Sequence, residues 1–362
     1  MSVRIDIQIH SDRAAYPALV GAGLTSELAA LLSEHVGATP GVFVVSCPPV
    51  WRLHGRRLRA IAGKQSVALI PDGERAKTLA TVGRIYDALL GRRLDRSATL
   101  VAFGGGVVGD VAGFAASTYL RGITLVQIPT TLLAQVDSAI GGKVGVNLPA
   151  GKNLIGAFHP PALVVCDPEL LKTLPRREFR AGLCEVIKYG VIASRPLFDR
   201  VADNLTKLFA HDSTELEQIV ADCCRIKARV VSLDEREAGP RRVLNFGHTI
   251  GHALEAITRY RRFRHGEAVA YGILAAVRIS ARRGLVSTEE EARLKDVITR
   301  IGKLPPVADL RVSEALGAIG HDKKNVGGTL HFVLANGLGS TMVVTDVGAR
   351  ELSAAMRSLG MR

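Results

Sequence analysis

The sequence has few cysteines and no cysteine motif. Its 362 residues include only five cysteines, an odd number without a Cys-x-x-Cys spacing. A disulfide framework and a zinc ribbon are therefore both disfavoured. We interpret the cysteines as reduced, structural thiols and expect a cytoplasmic protein.

Long apolar stretches are also absent. Residues 3–10 alternate apolar and polar side chains, as a strand does, and contain no apolar core of a signal peptide. No run of about 18 uncharged apolar residues occurs, and the longest candidate, 101–116, is broken by glycines and Asp110. We therefore expect neither a secretory leader nor a membrane span.

Aromatic residues are scarce, whereas positive charge is abundant. Aromatic side chains make up 5% of the chain, and the net charge is +13. The basic residues form scattered doublets, such as Arg56-Arg57 and Arg282-Arg283, with few aromatics for base stacking. A nucleic-acid-binding module remains the non-enzymatic alternative, but the pattern favours steering of small anionic substrates to a pocket.

The order of periodic segments predicts two domains. Short β-branched runs at 42–46, 67–71, 99–103 and 124–128 alternate with helical patterns at 24–34 and 78–90, as in a doubly wound, Rossmann-like α/β domain. After residue 175 the patterns are mainly helical, with a late strand pair at 331–334 and 341–345 around an Asn336-Gly337 turn. We predict an α/β domain over 1–175 and a mainly α-helical domain over 176–362.

A glycine-rich turn is the first candidate site. A predicted strand ends at Gly104-Gly105-Gly106, and Asp110 follows on a helix, a geometry that presents backbone amides to a diphosphate. A plain tight turn is the alternative, since the spacing is not Gly-x-Gly-x-x-Gly. Further polar groups follow along the chain: Thr130, Thr131, Asp137, and two sequences interpreted as glycine turns ending in lysine, 141–143 with Lys143 and 151–153 with Lys152 and Asn153.

Histidines in the second half form the second candidate site. His248 and His252 stand at i and i+4 on one helix face, where two imidazoles can share a zinc ion. Thr249 occupies the position of a zinc protease's glutamate, which argues against a protease. His265 and Glu185 are further candidate ligands. A pair of polar-face histidines, and an ordinary ion pair between Glu185 and Lys188, are the alternatives.

Charged and polar residues near these histidines form a third group. They lie at Lys227, Glu237, Arg241, Asn245 and in the segment 321–325. Solvated loops would account for them. Together with Lys143, Lys152 and Lys188 they would instead line a cationic cavity for a substrate with two anionic groups.

Seven motifs in order resemble the 3-dehydroquinate synthases, a family of sugar-phosphate cyclases. They are GGGVVGDVAGFAASTYLRGI, IPTTLLAQVDSAIGGKVGVN, GKNLIGAFHPP, AGLCEVIKYG, LNFGHTIGHALE, HGEAVAYG and DKKN, spanning residues 104–325. The resemblance implies an NAD-binding N-terminal domain, a helical metal-binding C-terminal domain, an active site in the cleft between them, and a homodimer.

The resemblance also implies roles for individual residues. It assigns zinc or cobalt to Glu185, His248 and His265, which moves His252 to the substrate. Arg121 would reach the phosphate of the substrate in the partner subunit. The cofactor residues would be Glu74, Lys77, Gly104, Gly105, Gly106, Asp110, Thr130, Thr131, Lys143 and Lys152. The catalytic residues would be Asp137, Lys143, Lys188, Lys227, Glu237, Arg241, Asn245 and His252, with Lys152, Asn153 and Lys323 binding substrate.

The implied reaction converts 3-deoxy-D-arabino-heptulosonate 7-phosphate to 3-dehydroquinate and phosphate. It proceeds by transient oxidation with NAD, β-elimination of phosphate, re-reduction and aldol closure. Cyclases that make an inosose or valiolone and metal-dependent polyol dehydrogenases are the alternatives. The resemblance implies an Asp or Asn after the strand 42–46, where this chain has Cys47, a poor partner for a ribose hydroxyl.

Overall fold

The computed structural model describes residues 4–10, 14–38, 40–63, 66–237, 239–321, 325–326 and 329–362. Two compact units divide the chain. The first comprises Met1–Pro175 and His211–Glu235, and the second comprises Arg176–Ala210 and Arg236–Arg362. A single cut after residue 175 does not describe this division, because the segment 211–235 belongs to the first unit.

The first unit is built around a seven-stranded sheet in the order β1-β2-β9-β6-β5-β3-β4. β1 and β2 are antiparallel, and the other pairs are parallel. The strands of this unit are β1 (Ile5–His10), β2 (Ala15–Val20), β3 (Val42–Ser46), β4 (Val67–Leu69), β5 (Thr99–Gly104), β6 (Thr124–Pro129), β7 (Lys143–Leu148), β8 (Gly151–Phe158) and β9 (Leu163–Cys166). Its helices are α1 (Leu28–His35), α2 (Pro48–His54), α3 (Leu79–Gly91), α4 (Gly106–Thr118) and α7 (Ser213–Leu233). Residues 176–210, which precede α7, belong to the second unit.

Alternating side chains of the sheet build a core on each face. Phe43 and Val45 pack with residues of α3 and α4 on one face, whereas Val44 packs with residues of α1 on the other. Burial of both faces explains why these strands are continuous apolar runs in the sequence. The predicted doubly wound α/β fold is confirmed for this unit.

A β-hairpin follows the first of the two glycine turns predicted at 141–143 and 151–153 and takes the place of the second. β7 begins at Lys143 and pairs antiparallel with β8, which begins at Gly151. The apolar residues of β7 alternate with glycine and asparagine, and Val144 and Val146 join the core beneath α4. The predicted turn is therefore present at Gly141 and Gly142, which precede β7 and have positive φ of 97° and 66°. It was wrong at 151–153, because pairing with β7 holds that segment as the start of β8.

The second unit is mainly helical around one buried helix. Its helices are α5 (Arg176–Ala193), α6 (Arg195–Phe209), α8 (His248–Ile257), α9 (His265–Arg282), α10 (Thr288–Ile301), α11 (Val312–His321) and α12 (Ala349–Ser358), and its strands are β10 (Asn325–Val326), β11 (Thr329–Leu330), β12 (Phe332–Ala335) and β13 (Thr341–Val344). Every residue of α5 from Ala181 to Ile192 is buried, with α6, α9 and α10 packed around it. β12 and β13 form the predicted late hairpin.

Two further expectations concern the cysteines and membrane-spanning helices. All five cysteines are buried and none forms a disulfide, as expected for structural thiols. Among the described residues, no helix combines the length and the apolar character needed to cross a bilayer.

Candidate active site

The glycine turn lies where two central strands of the first unit end. β5 ends at Gly104, Gly105 precedes the first residue of α4, and Thr130 N donates to Gly104 O at 2.9 Å. A Cβ on Gly105 would lie 3.0 Å from the Thr131 side chain, so the predicted glycines and threonines adjoin one another. The buried Thr130 Oγ1 has no hydrogen-bond partner among the described residues. A helix N-terminus beside an unused hydroxyl fits the diphosphate end of a dinucleotide.

A polar network beside this turn unites five more predicted residues. Lys77 forms an ion pair with Asp110 and donates to Asn153 Oδ1 at 2.5 Å. Asn147 links Asn153 to Glu74: its Oδ1 accepts from Asn153 N at 2.9 Å, and its Nδ2 donates to Glu74 Oε1 at 2.7 Å. The predicted residue Lys152 places its Nζ 3.9 Å from the same Glu74 oxygen.

Burial affects the charges in this network. Desolvation raises the pKa of the Asp110 carboxyl above its ordinary value, while Lys77 opposes that shift. The side chain of Lys77 is 6% exposed, so its ammonium depends on Asp110 and Asn153 for compensation.

A second charged pair of the first unit joins Asp137 to Lys227. Lys227 Nζ lies 2.6 Å from Asp137 Oδ1 and 2.5 Å from the Asp137 carbonyl oxygen. Asp137 sits in the π-helical turn 134–138, a conformation that frequently occurs at functional sites. Its neighbour Ser138 lies 3.0 Å from a Cβ placed on Gly106, so this pair adjoins the glycine turn.

Two predicted residues of the first unit are exposed. Lys143 is the first residue of β7. Arg121 lies in a turn in which Leu120 and Arg121 both have positive φ, 49° and 70°. Consecutive non-glycine residues in this region are strained, as residues at functional sites often are.

The second unit gathers the predicted metal ligands from three helices. α5 supplies Glu185, α8 supplies His248 and His252, and α9 begins with His265. One ligand atom of each of the three imidazoles lies within 4.8 Å of the others. Glu185 Oε1 lies 3.8 Å from His248 Nε2 and 3.6 Å from His265 Nε2. The set supplies the oxygen and nitrogen donors of a catalytic zinc site.

The ring nitrogens on the far side of two imidazoles are held by other groups. His248 Nδ1 lies 3.1 Å from the Phe246 carbonyl oxygen, and His265 Nδ1 lies 3.2 Å from Glu255 Oε2. Desolvation lowers the pKa of His265, but Glu255 and Glu185 outweigh it, and the pKa is raised overall. Such contacts orient a ligand imidazole and select its tautomer.

Glu185 is the most deeply buried charged residue of this cluster. Its side chain is fully buried, and Lys188 Nζ lies 2.5 Å from its Oε2. Among the described residues, neither carboxylate oxygen makes a hydrogen bond of good geometry, and Oε1 faces the two imidazoles. A buried carboxylate is costly unless cations compensate it, so the residues present fit a divalent metal at Oε1.

Two glycines allow the ligand-bearing helices to approach closely. A Cβ on Gly266 would lie 1.9 Å from Ala181 O of α5, and one on Gly272 would lie 1.7 Å from Gly247 O, which precedes α8. No larger residue fits at either contact. Glu267 also accepts from Arg264 N at 2.7 Å and pairs with Arg177, which caps α9 at the residue preceding His265.

The remaining predicted residues of the second unit lie just before α8. Arg241 is buried, and Asn245 Nδ2 donates to Glu237 Oε1 at 2.5 Å. Lys323 lies outside the described residues.

Sequence reasoning missed two contacts of the candidate site. The first is Asn147, the last residue of a motif in which only other residues were assigned roles. The second is Glu255, three positions after His252. Glu255 is 4% exposed. The sequence could have indicated it, because an acidic residue on the apolar side of an amphipathic helix is unusual.

Comparisons with known proteins extend over almost the whole chain. The family model described as 3-dehydroquinate synthase N-terminal matches residues 67–181, and the C-terminal model matches residues 182–325. The chain is 45% identical to the 3-dehydroquinate synthase of Solibacter usitatus, covering 97% of this chain and 98% of that protein. It is 48% identical to that of Thermosynechococcus vestitus, covering 92% and 94%.

Solved structures of other cyclases share the fold. The 2-epi-5-epi-valiolone synthase of Streptomyces hygroscopicus, with NAD+ and Zn2+ bound, is 30% identical with a TM-score of 0.86, covering 96% of this chain and 97% of that chain. A 2-deoxy-scyllo-inosose synthase complexed with carbaglucose-6-phosphate, NAD+ and Co2+ is 26% identical with a TM-score of 0.86, covering 98% and 100%. With both family models and full-length relatives in agreement, the chain belongs to the 3-dehydroquinate synthase family.

Proposed function

We propose that this chain is a 3-dehydroquinate synthase, a phosphate-eliminating lyase of the shikimate pathway. It converts 3-deoxy-D-arabino-heptulosonate 7-phosphate to 3-dehydroquinate and phosphate. The observation that carries the proposal is the 43–48% identity to 3-dehydroquinate synthases along more than nine-tenths of the chain. Sibling cyclases are less similar, at 30% and 26%.

The reaction needs two cofactors. When bound, NAD takes up and returns two electrons and a zinc or cobalt ion provides a Lewis acid. One substrate hydroxyl is oxidised, phosphate leaves by β-elimination, the carbonyl is reduced again, and an aldol step closes the ring. NAD is therefore not consumed.

The first unit offers the residues for NAD. The amides at the start of α4 and the free Thr130 hydroxyl suit the diphosphate. Glu74, Lys77 and Asp110, which the Asn147 network links, form the predicted contacts to the rest of the dinucleotide.

The second unit offers the residues for the metal. Two ligand sets are compatible with the geometry: Glu185, His248 and His265, or the three imidazoles. We propose the first set, because in the described part of the chain Glu185 Oε1 is buried without a hydrogen bond, and His248 and His265 both direct Nε2 toward it. His252 would then face the substrate.

The cationic side chains would orient the substrate's two anionic groups. The predicted cations are Lys152, Lys188, Lys227 and Arg241, and the amides of Asn153 and Asn245 are the predicted neutral donors. A guanidinium and several ammonium groups bind carboxylate and phosphate through charge-assisted hydrogen bonds, and such fixed orientation lowers the barrier to elimination and ring closure.

We further propose that the chain acts as a cytoplasmic homodimer. The exposed, strained turn at Arg121 supports a role for that guanidinium toward the substrate phosphate of a second copy. Five cysteines, none of them in a disulfide, support a reducing compartment.

A direct assay tests the proposed reaction. The protein is incubated with the heptulosonate phosphate, NAD and zinc, inorganic phosphate is followed, and the product is identified by NMR. We expect phosphate and 3-dehydroquinate in equal amounts, with no net absorbance from NADH. Stoichiometric NADH would indicate a polyol dehydrogenase instead, and turnover of a substrate without the carboxylate would indicate a sibling cyclase.

Metal binding is tested separately. Chelator-stripped protein is expected to lose activity and to regain it with zinc or cobalt. Zinc binding is expected to be lost in His248→Ala and kept in His252→Ala, which should nevertheless lose turnover. If His252→Ala alone empties the site, the three-imidazole set is the correct one.

A further inference from the structure

A cavity of the helical unit is lined by none of the residues proposed for catalysis. Its volume is about 330 Å³, and three residues on one face of α5 line it together with Glu267 and the segment 301–306 that follows α10. The three residues are Arg177, Arg180 and Cys184. The volume is at the lower end of the range of small-molecule pockets, roughly 300–1,000 Å³.

The charge of the lining is positive. Arg177, Arg180 and Lys303 stand against one carboxylate, Glu267. That carboxylate is already engaged, since Arg177 Nε and Nη2 each lie 2.7 Å from its oxygens. The cavity therefore has positive charge left for a ligand.

Arg180 is the group without a partner. Among the described residues, its guanidinium has no hydrogen bond or ion pair, and its Nε is buried and unsatisfied. A Cβ on Gly302 would lie 2.7 Å from Arg180 Nε and Cζ, so the guanidinium packs directly on the Gly302 backbone. A buried N–H without an acceptor is costly, and an anion in the cavity would remove that cost.

The remainder of the wall is apolar and held in place. Ile301, Leu304, Pro305 and Pro306 contribute side chains, and burial raises the pKa of the Cys184 thiol so that the thiol stays neutral. The wall is anchored where Tyr271 Oη donates to Pro305 O at 2.8 Å and Arg262 Nη1 donates to Pro306 O at 3.1 Å. A preformed wall keeps the ordering cost of binding low.

We propose that this cavity is a binding site for a small carboxylate with a compact apolar body. The carboxylate accepts from Arg180, and the body packs against the proline-rich segment. The site shares no residue with the proposed metal ligands or with the residues proposed to bind NAD and substrate, so it does not depend on the proposed function.

Calorimetric titration of the full chain tests the proposal. The probes are sodium benzoate, its neutral analogue benzyl alcohol, and sodium phosphate, all at one ionic strength. We expect benzoate to bind measurably more tightly than either of the others, because only benzoate has both the charge and the apolar ring. Equal binding of benzyl alcohol or of phosphate would overturn the assignment to an apolar carboxylate, as would failure of benzoate to bind at millimolar concentration.

Variants locate the site. Arg180→Gln is expected to weaken benzoate binding by about tenfold or more, as loss of a charge-assisted hydrogen bond predicts. Leu304→Trp, which fills the cavity and keeps the charge, is expected to abolish binding. Arg282→Gln, an exposed arginine of α9, is the matched control, and Arg241→Gln reports on the proposed substrate pocket. Benzoate affinity unchanged in both cavity variants, or lost in Arg241→Gln instead, would refute the site.

Discussion

Gly266→Ala is the substitution by which the structure most directly links helix packing to metal binding. Gly266 follows His265 on α9, and the added methyl group would lie 1.9 Å from Ala181 O on α5, the helix that carries Glu185. Real Cβ atoms do not approach a neighbour closer than 3.0 Å, so the two helices must separate locally by about 1 Å. The contact is with backbone, and no side-chain rotation can relieve it.

The displacement sets the expected magnitudes. Overpacking of a well-packed interior costs about 1–3 kcal/mol, and we expect the metal-free protein to lose that much stability. A ligand site must be held to within about 0.5 Å. Separating Glu185 from His265 by twice that distance should weaken zinc binding by about 10–100-fold, as loss of a supporting contact does.

Zinc affinity is measured by competition with a chromophoric chelator, and stability by the urea midpoint of the metal-free protein. Gly317→Ala is the matched control, because Gly317 lies in α11 of the same unit, is exposed, and has nothing within 4 Å of its added Cβ. It should bind zinc normally and be stabilised by about 0.5–1 kcal/mol. Wild-type zinc affinity in Gly266→Ala would refute the argument that this contact positions the ligands.

Three further predictions test other parts of the structure. Glu255→Gln should weaken zinc binding about 10–100-fold in the chelator assay by removing the charged partner of His265; unchanged affinity would mean that Glu255 does not orient the imidazole. Arg121→Ala and Lys188→Ala should each be inactive, but reassociation of an equal mixture should restore about one quarter of wild-type activity, since half the dimers then hold one intact site; no recovery would place Arg121 in its own subunit's site. Burial, and next Arg57, lower the pKa of His54 below its ordinary 6.5. The unfolded chain then binds more protons, so stability should fall as pH drops through 6.5 toward the folded value. In urea unfolding at about pH 7.5 and about pH 5.5, His54→Asn should show less of this loss, and an equal loss would contradict the assignment.

The fold was predictable where local pattern and tertiary packing agree. The continuous apolar runs of β3, β5 and β6 predicted burial on both faces of the sheet, and side chains of these strands lie in the core on each face. The return of α7 to the first unit was not predictable, because a helical period does not say which neighbours an apolar face will meet. The β7–β8 hairpin was missed for a related reason: glycines within a strand look like turns until their partner strand is known.

The candidate site was predictable as a set of residue types but not as contacts. The motifs named Glu185, His248, His252 and His265, and the structure brings all four together in one unit. Spacing could not choose among the ligand sets, since an i, i+4 pair is compatible with shared coordination and with separate roles. Glu255 was missed because its role depends on how α9 packs beside α8, which the sequence pattern does not give.

The glycines around the histidines show what the motifs encode beyond chemistry. Gly272 brings α9 against the backbone of Gly247, and Gly266 brings it against α5. A chain that kept every histidine and carboxylate but replaced these two glycines would hold the same donors on helices pushed apart. Since a metal tolerates only small errors in ligand position, such a chain would lack the site despite carrying all its ligands. The motifs LNFGHTIGHALE and HGEAVAYG therefore describe the packing of three helices as much as the identity of the donor atoms, and the close helix contacts are the part that makes the donors converge.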